Sequence, residues 1–389
     1  MIVELPRGRA QARAALRRIA EIEPAGGPRP VDKPLVLFGA GNLGRLAAAC
    51  LRKLDVAITA VVDSNAAAHR ESVFWRETSV LEERHVGEAL RRSAMLAVCV
   101  AASPYEPIRR ALQDRGWLDV VPIYDVTEAY RDRLPLANGW FTRGLSAPET
   151  AAIGDVLDDL EDDTSRGHHL QFAAWHHARH EWLFPDAPVS LDERYFPPEV
   201  RRLLRVDERF ADIGAHAGEV TARFVAVARG RFERAWALEP DSVNRMAAES
   251  VFDNLSAEDR GRIALLPVAV GSGRGSKRFA EGYGYASQFF DRGTSVREVV
   301  PIDDLGLAPT FVKVHLEGWE LDALRGATRT LEQHRPIVAA TIYHDRRGLW
   351  ETVRWAMDTL KDYRFFVRQH AYLGTGVVLY AIPRERETV

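Results

Sequence analysis

Two stretches of the chain alternate short apolar runs with longer segments of helical periodicity. In the first, LVLF (35–38), ITAVVD (58–63), AMLAVCVAA (94–102) and DVVPIYD (119–125) read as strands. RLAAACLRKL (45–54) and PIRRALQDRG (107–116) fit helices between them. In the second, the strand segments are RFADIG (209–214), RAWALEP (234–240), IALLPVAVG (263–271), TFVKVHLEG (310–318) and PIVAATIYH (336–344). Strands that are apolar on both faces and alternate with helices predict a parallel sheet covered on both sides. KDYRFFVRQH (361–370) and TGVVLYAIP (375–383), around Gly374, read as a hairpin-like pair closing the second sheet. The expected fold is therefore α/β, with two Rossmann-like, doubly wound sheets joined by a helical connector. The expected boundaries are 1–30 for an N-terminal helix and linker, 31–126 for the first sheet domain, 127–190 for the connector and 191–389 for the second.

The connector has its own signals. Ser146 and Glu149 form a capping-box pattern with Pro148 in the first turn. Histidines crowd SRGHHLQFAAWHHARHEWLF (165–184), and His176 and His180, four apart, would share one helix face. Two ligands with no nearby Cys or HExxH pattern do not complete a metal site, so a polar, partly packed helix is expected and no metal is assigned.

Composition narrows the partners. The 389 residues are 46% hydrophobic and 28% charged with a net charge of −3, which gives no reason to expect nucleic acid or an anionic membrane. Two isolated cysteines make no disulfide framework. No apolar stretch approaches a membrane span, and the Arg-rich start has no signal-type apolar core. A cytoplasmic protein of unspecified oligomeric state is expected.

Two glycine turns carry the candidate chemistry. In LFGAGNLG (37–44), Gly39, Gly41 and Gly44 match the dinucleotide fingerprint, and Asp63 ends the next strand at the distance expected of a ribose contact. In FADIGAHAGEV (210–220), an acid stands beside the turn. Asp212 would repel a diphosphate and suits a cationic neighbour such as the ammonium of S-adenosylmethionine. Glu239, ending the next strand, suits vicinal ribose hydroxyls.

The second stretch resembles the FkbM-type S-adenosylmethionine-dependent methyltransferases over most of 190–389. The resemblance rests on RYFPPEV (194–200), DIGAHAGEVT, LEPD, LLPVAVGS, a polar insertion with Ser287, VVPIDDL, FVKVHLEGWELDALRGA and PIVAATIYH, in that order. LFGAGNLGR with VVDSN is similar to the N-terminal domain of some members. The resemblance implies a class I methyltransferase fold for the C-terminal sheet and O-methylation of a sugar or natural-product-like acceptor. It implies a cofactor site at Asp212, Gly214, Ala215, His216, Gly218, Thr221, Glu239, Pro240, Asp241, Val268, Ala269 and Ser287. In two places the chain departs from the family pattern: His216 stands for an asparagine, and His315 for the aspartate of Lys-x-Asp-x-Glu-Gly-x-Glu.

A hydroxyl acceptor must lose its proton, and imidazole titrates near neutrality. His315 is the candidate base, His344 its rival, and Glu317 the group that orients either ring. Strand alternation sets Lys313 apart from this site. Asp303, Asp304 and Glu317 are the acids that could gather a metal. Two other readings stand beside this one: a nucleotide-sugar-binding protein whose methyltransferase lobe has lapsed, and a nicotinamide oxidoreductase built on GAGNLG.

Overall fold

The computed structural model describes residues 1–136 and 138–387. The first sheet has five parallel strands, in spatial order Val80–Leu81, Ala60–Val62, Leu35–Phe38, Met95–Val98 and Asp119–Pro122. Val80–Leu81 is too short to leave a periodic signal and is absent from the sequence reading.

The second sheet has seven strands. Numbered along the chain they are Arg209–Ile213, Arg234–Leu238, Ile263–Leu266, Phe311–Val314, Ile337–Thr341, Tyr363–Gln369 and Val377–Pro383, and their spatial order is 3-2-1-4-5-7-6. The first five are parallel, and the last strand is antiparallel to both neighbours. Order reverses between the first and fourth strands, which opens a crevice at their carboxyl ends. The segment IALLPVAVG does not run on as one strand. It breaks after Leu266, and Ala269–Val270 joins a separate four-stranded sheet with Gly275–Ala280, Gln288–Phe289 and Ser295–Val300. This polar insertion stands beside the crevice.

The N-terminal helix and the connector are part of the second unit's core. Helix Gly8–Glu21 buries Ala12, Ala15, Leu16 and Ile19 at helical spacing. These share one apolar cluster with helices Ala147–Asp159 and Asp163–Ala178 and with the seven-stranded sheet. The Ser146–Glu149 capping box is formed in full. Trp175 and Leu373 reach the other way, into the core of the five-stranded sheet.

The histidines of helix Asp163–Ala178 are deeply buried. The helix stops at Ala178, with Arg179 left-handed at φ 54°, so His180 lies beyond it and shares no helix face with His176. His176 instead stacks on Trp140 with ring centroids 3.7 Å apart. His168 Nε2 lies 3.1 Å from the Ala187 carbonyl and His169 Nε2 2.8 Å from the Leu349 carbonyl, so each ring pins the helix to a neighbouring loop. No helix among the described residues is long and apolar enough to cross a membrane.

Burial lowers the pKa of His168 and of His169 to about 4. The unfolded chain takes up protons on both rings near pH 6.5, and the fold accepts them only near pH 4. Their contribution to stability is thus complete above pH 6.5 and lost as pH falls towards 4. The thermal unfolding midpoint, followed by circular dichroism, is expected to drop across that window, and to drop less steeply in His169→Gln.

Candidate active site

The turn after strand Arg209–Ile213 is built for close approach. Gly214 has φ 77°, and a Cβ there would lie 2.1 Å from the His315 carbonyl oxygen. Gly218 has φ 79°, and a Cβ would meet the Phe252 ring at 2.7 Å. Both positions therefore require glycine. His216 is also left-handed, at φ 50°, and its backbone N–H donates to Glu239 Oε2 at 2.8 Å. The Asp241 N–H donates to the other oxygen at 2.9 Å. Burial pushes the Glu239 carboxyl up, and these two amides pull it back. Each Glu239 oxygen keeps a lone pair for a ligand.

A cleft opens above this turn, at the carboxyl ends of the strands. Gly214, His216, Glu239, Pro240, Val268, Ala269 and Ser287 border it, as do His315 and Glu317. The sequence reading missed Asn244, Tyr285 and the aromatic wall of Phe279, Phe289 and Trp319. Asn244 lies on helix Ser242–Phe252 and the others on the polar insertion or after the fourth strand, where no motif signal marks them.

Four expected cofactor residues face elsewhere. Asp212, expected to meet the ammonium group of a ligand, meets that of Lys313 instead, with Oδ1 2.7 Å from Nζ. Both side chains are buried. Thr221 Oγ1 donates to the second Asp212 oxygen at 2.7 Å, so neither residue borders the cleft. Lys313, set aside by strand alternation, also donates to the Gly214 carbonyl at 2.6 Å. Alternation puts it on the same face as His315, and both touch Tyr195. Asp241 caps helix Ser242–Phe252 through the Val243 N–H at 2.8 Å, and accepts from Gly282 N–H and Ser287 Oγ at 2.7 and 2.6 Å. It braces the cleft from behind. Ala215 is buried against the core under the turn.

At the other end of the cleft, Glu317 is left-handed at φ 49° and is followed by Gly318. Glu320 holds this loop by accepting from the Leu316 N–H at 2.9 Å, the Gly318 N–H at 3.0 Å and Thr341 Oγ1 at 2.9 Å. His315 Nδ1 is 2.7 Å from the Tyr195 hydroxyl, and its Nε2 is 3.1 Å from Glu317 Oε1. His344 is buried behind Glu317 and does not border the cleft. Its Nδ1 lies 2.6 Å from Glu320 Oε1 and its Nε2 3.4 Å from Glu317 Oε1. The rival base thus faces Glu317 and Glu320 and does not reach the cleft.

The charges sort themselves within this cluster. Burial drives the His315 pKa down to about 3 against the Glu317 hydrogen bond, leaving a neutral ring. Burial opposes charge on His344, but the Glu320 and Glu317 carboxylates hold it well above the usual histidine range. Burial likewise opposes charge on both acids, yet His344 brings Glu320 down to about 2 and Glu317 far below the usual range. Asp303 and Asp304 take no part. Asp303 accepts from the Thr330 N–H at 2.8 Å, and Asp304 pairs with Arg274 at 2.8 Å.

The upstream turn is occupied by its own chain. Asp63, expected on a ribose, accepts from the Ala40 N–H at 2.7 Å, and Trp75 Nε1 donates to the Ala40 carbonyl at 3.2 Å. Gly44 is needed for packing, since a Cβ would lie 2.0 Å from the Gly39 carbonyl oxygen. Gly39 is left-handed at φ 109°, whereas a Cβ on Gly41 would meet nothing. The nucleotide expected at Gly39, Gly41, Gly44 and Asp63 has no support in this geometry.

The seven-stranded order and the crevice between its first and fourth strands define a class I methyltransferase fold. Residues 212–373 match the methyltransferase FkbM domain. A crystal structure of methyltransferase FkbM from Methylobacillus flagellatus KT is similar in fold over 96% of this chain and 98% of that one, with a TM-score of 0.64 and 20% identity. Precorrin-6y C5,15-methyltransferase from Geobacter metallireducens GS-15 aligns with 51% of this chain and 95% of its own, at 16% identity and a TM-score of 0.30. No curated protein matches the chain.

Removing one partner of a buried ion pair costs about 3–5 kcal/mol, and replacing both costs far less. Lys313→Met is expected to lose stability on that scale in denaturant unfolding. Asp212→Asn combined with Lys313→Met is expected to recover most of it.

Proposed function

We propose that the chain is an S-adenosylmethionine-dependent O-methyltransferase acting on a hydroxyl of a sugar or natural-product-like small molecule. One observation carries this reading: Glu239 and Glu317 border the cleft, and no Arg or Lys among the described residues does. A diphosphate-bearing nicotinamide or nucleotide-sugar would find no cation there, whereas a sulfonium ligand with an ammonium group finds carboxylates and aromatic faces.

The residues fit that ligand. Glu239 has acceptor capacity for a pair of ribose hydroxyls, Gly214 leaves the floor of the cleft open, and Pro240, Val268 and Ala269 supply apolar walls. When bound, S-adenosylmethionine supplies an electrophilic methyl group. The chain's own contribution is to place the acceptor oxygen and help it lose its proton. Positioning of that kind is worth about 7–11 kcal/mol, and a placed base about 10²–10⁴-fold. His315 and Glu317 border the cleft and are the groups that hold the hydroxyl. His344, through Glu317, keeps them in place.

Calorimetric titration with S-adenosylhomocysteine, NADH and a nucleotide-sugar tests this reading. Micromolar binding of the first alone is expected. Loss of hydrogen bonds to a charged group predicts that Glu239→Ala weakens it by about 10–100-fold. Unchanged affinity in Glu239→Ala would remove the ribose assignment. Binding of NADH or the nucleotide-sugar in place of S-adenosylhomocysteine would overturn the methyltransferase reading.

A further inference from the structure

We propose that His315, Glu317 and His344 bind one divalent first-row transition-metal ion, with its open positions turned towards the acceptor end of the cleft. The three side chains each present one ligand atom, and these atoms lie within 4.8 Å of one another. Two imidazoles and one carboxylate form a donor set that suits Zn²⁺, Fe²⁺ or Co²⁺ better than Mg²⁺ or Ca²⁺, which prefer oxygen.

The spacing fits an ion. Bonds of about 2.0–2.2 Å to nitrogen and oxygen put neighbouring ligand atoms about 3.0–3.4 Å apart. His315 Nε2 and His344 Nε2 lie 3.1 and 3.4 Å from the same oxygen, Glu317 Oε1. His344 is 97% buried, with a relative exposure of 3%, and neither of its ring nitrogens, Nε2 included, makes a hydrogen bond of good geometry although each faces a carboxylate. A cation between the three groups gives Nε2 a partner.

The surroundings are those of supported ligands. A metal-bound histidine usually has its outer nitrogen held by a carboxylate or another acceptor, which fixes the ring and leaves the inner nitrogen free to coordinate. His344 Nδ1 lies 2.6 Å from Glu320 Oε1, and His315 Nδ1 lies 2.7 Å from the Tyr195 hydroxyl. Glu317 is held in a left-handed conformation that is unfavourable for a non-glycine residue. The Glu320 bonds to the amides on either side of Glu317 maintain it.

The site stands on its own geometry, but its role rests on the function proposed above. An acceptor hydroxyl entering past His315 and Glu317 becomes a further ligand through its oxygen. Its O–H bond then breaks, the electron pair stays on the metal-bound oxygen and the proton passes to solvent water. A bound divalent ion favours that ionisation at neutral pH.

The test uses the full-length protein, stripped with a chelator and titrated with Co²⁺ followed by Zn²⁺. One Co²⁺ per chain is expected, with visible d–d absorption that Zn²⁺ abolishes. Binding is expected to weaken about 100-fold in His315→Ala and in His344→Ala, and about 10-fold in Glu320→Gln, because Glu320 supports the ligands through the His344 outer nitrogen and the loop carrying Glu317. Circular dichroism and S-adenosylhomocysteine binding report whether each variant folds. Wild-type protein that binds S-adenosylhomocysteine but neither metal at micromolar concentration overturns the metal site and leaves the methyltransferase reading intact. Equal binding by wild type and both folded histidine variants also overturns it. An ion lost in the variants, in a protein that never binds S-adenosylhomocysteine, supports the site and overturns its role in methyl transfer.

Discussion

The buried pair of Lys313 and Asp212 is the constraint on which the rest of the site depends. It ties the first strand of the seven-stranded sheet to the fourth, on either side of the point where strand order reverses. The same ammonium holds the Gly214 carbonyl, so the ion pair sets the height of the glycine turn over the sheet. Two charges taken out of water are tolerated only when each is fully matched. Here Thr221 and Gly214 complete the match. The turn cannot shift without exposing a buried charge, and the floor of the cleft is rigid for that reason.

From this anchor the site divides into two ends. At one, backbone amides of the turn and of the following helix start hold Glu239 in the cleft wall. At the other, Glu320 gathers two loop amides and a threonine hydroxyl, which stabilises the left-handed Glu317 and brings two histidines to its carboxylate. The two ends are joined where Gly214 packs against the His315 carbonyl. Any group on Gly214 larger than hydrogen would push them apart.

The first 190 residues serve this arrangement in different ways. The N-terminal helix and the histidine-rich helix complete the apolar core of the seven-stranded sheet. Trp140, in the connector, donates its indole N–H to the carbonyl of Tyr343, next to His344. The five-stranded sheet keeps a dinucleotide-type turn, but Asp63 and Trp75 occupy its polar groups from within. The glycines of that turn answer to packing at Gly39 and Gly44.

Local pattern alone determined most of the architecture: both parallel sheets, the closing hairpin, the capping box at Ser146 and the two glycine turns. These depend on interactions within a few residues, or on burial of both faces of a strand, and each leaves a periodic or turn signal. Pattern also brought Glu239, His315 and Glu317 to strand ends on one crevice. Only the tertiary structure decided what each polar group meets. Asp212 and Asp63 look like ligand contacts in sequence because an acid beside a glycine turn is compatible with both uses. The lysine or backbone amide that claims each one comes from packing the sequence does not display. The same holds for His344, whose distance from Glu317 depends on how two parallel strands and their loops register. Coulombic and hydrogen-bond partners separated by a hundred residues are fixed by the fold, and local periodicity carries no record of them.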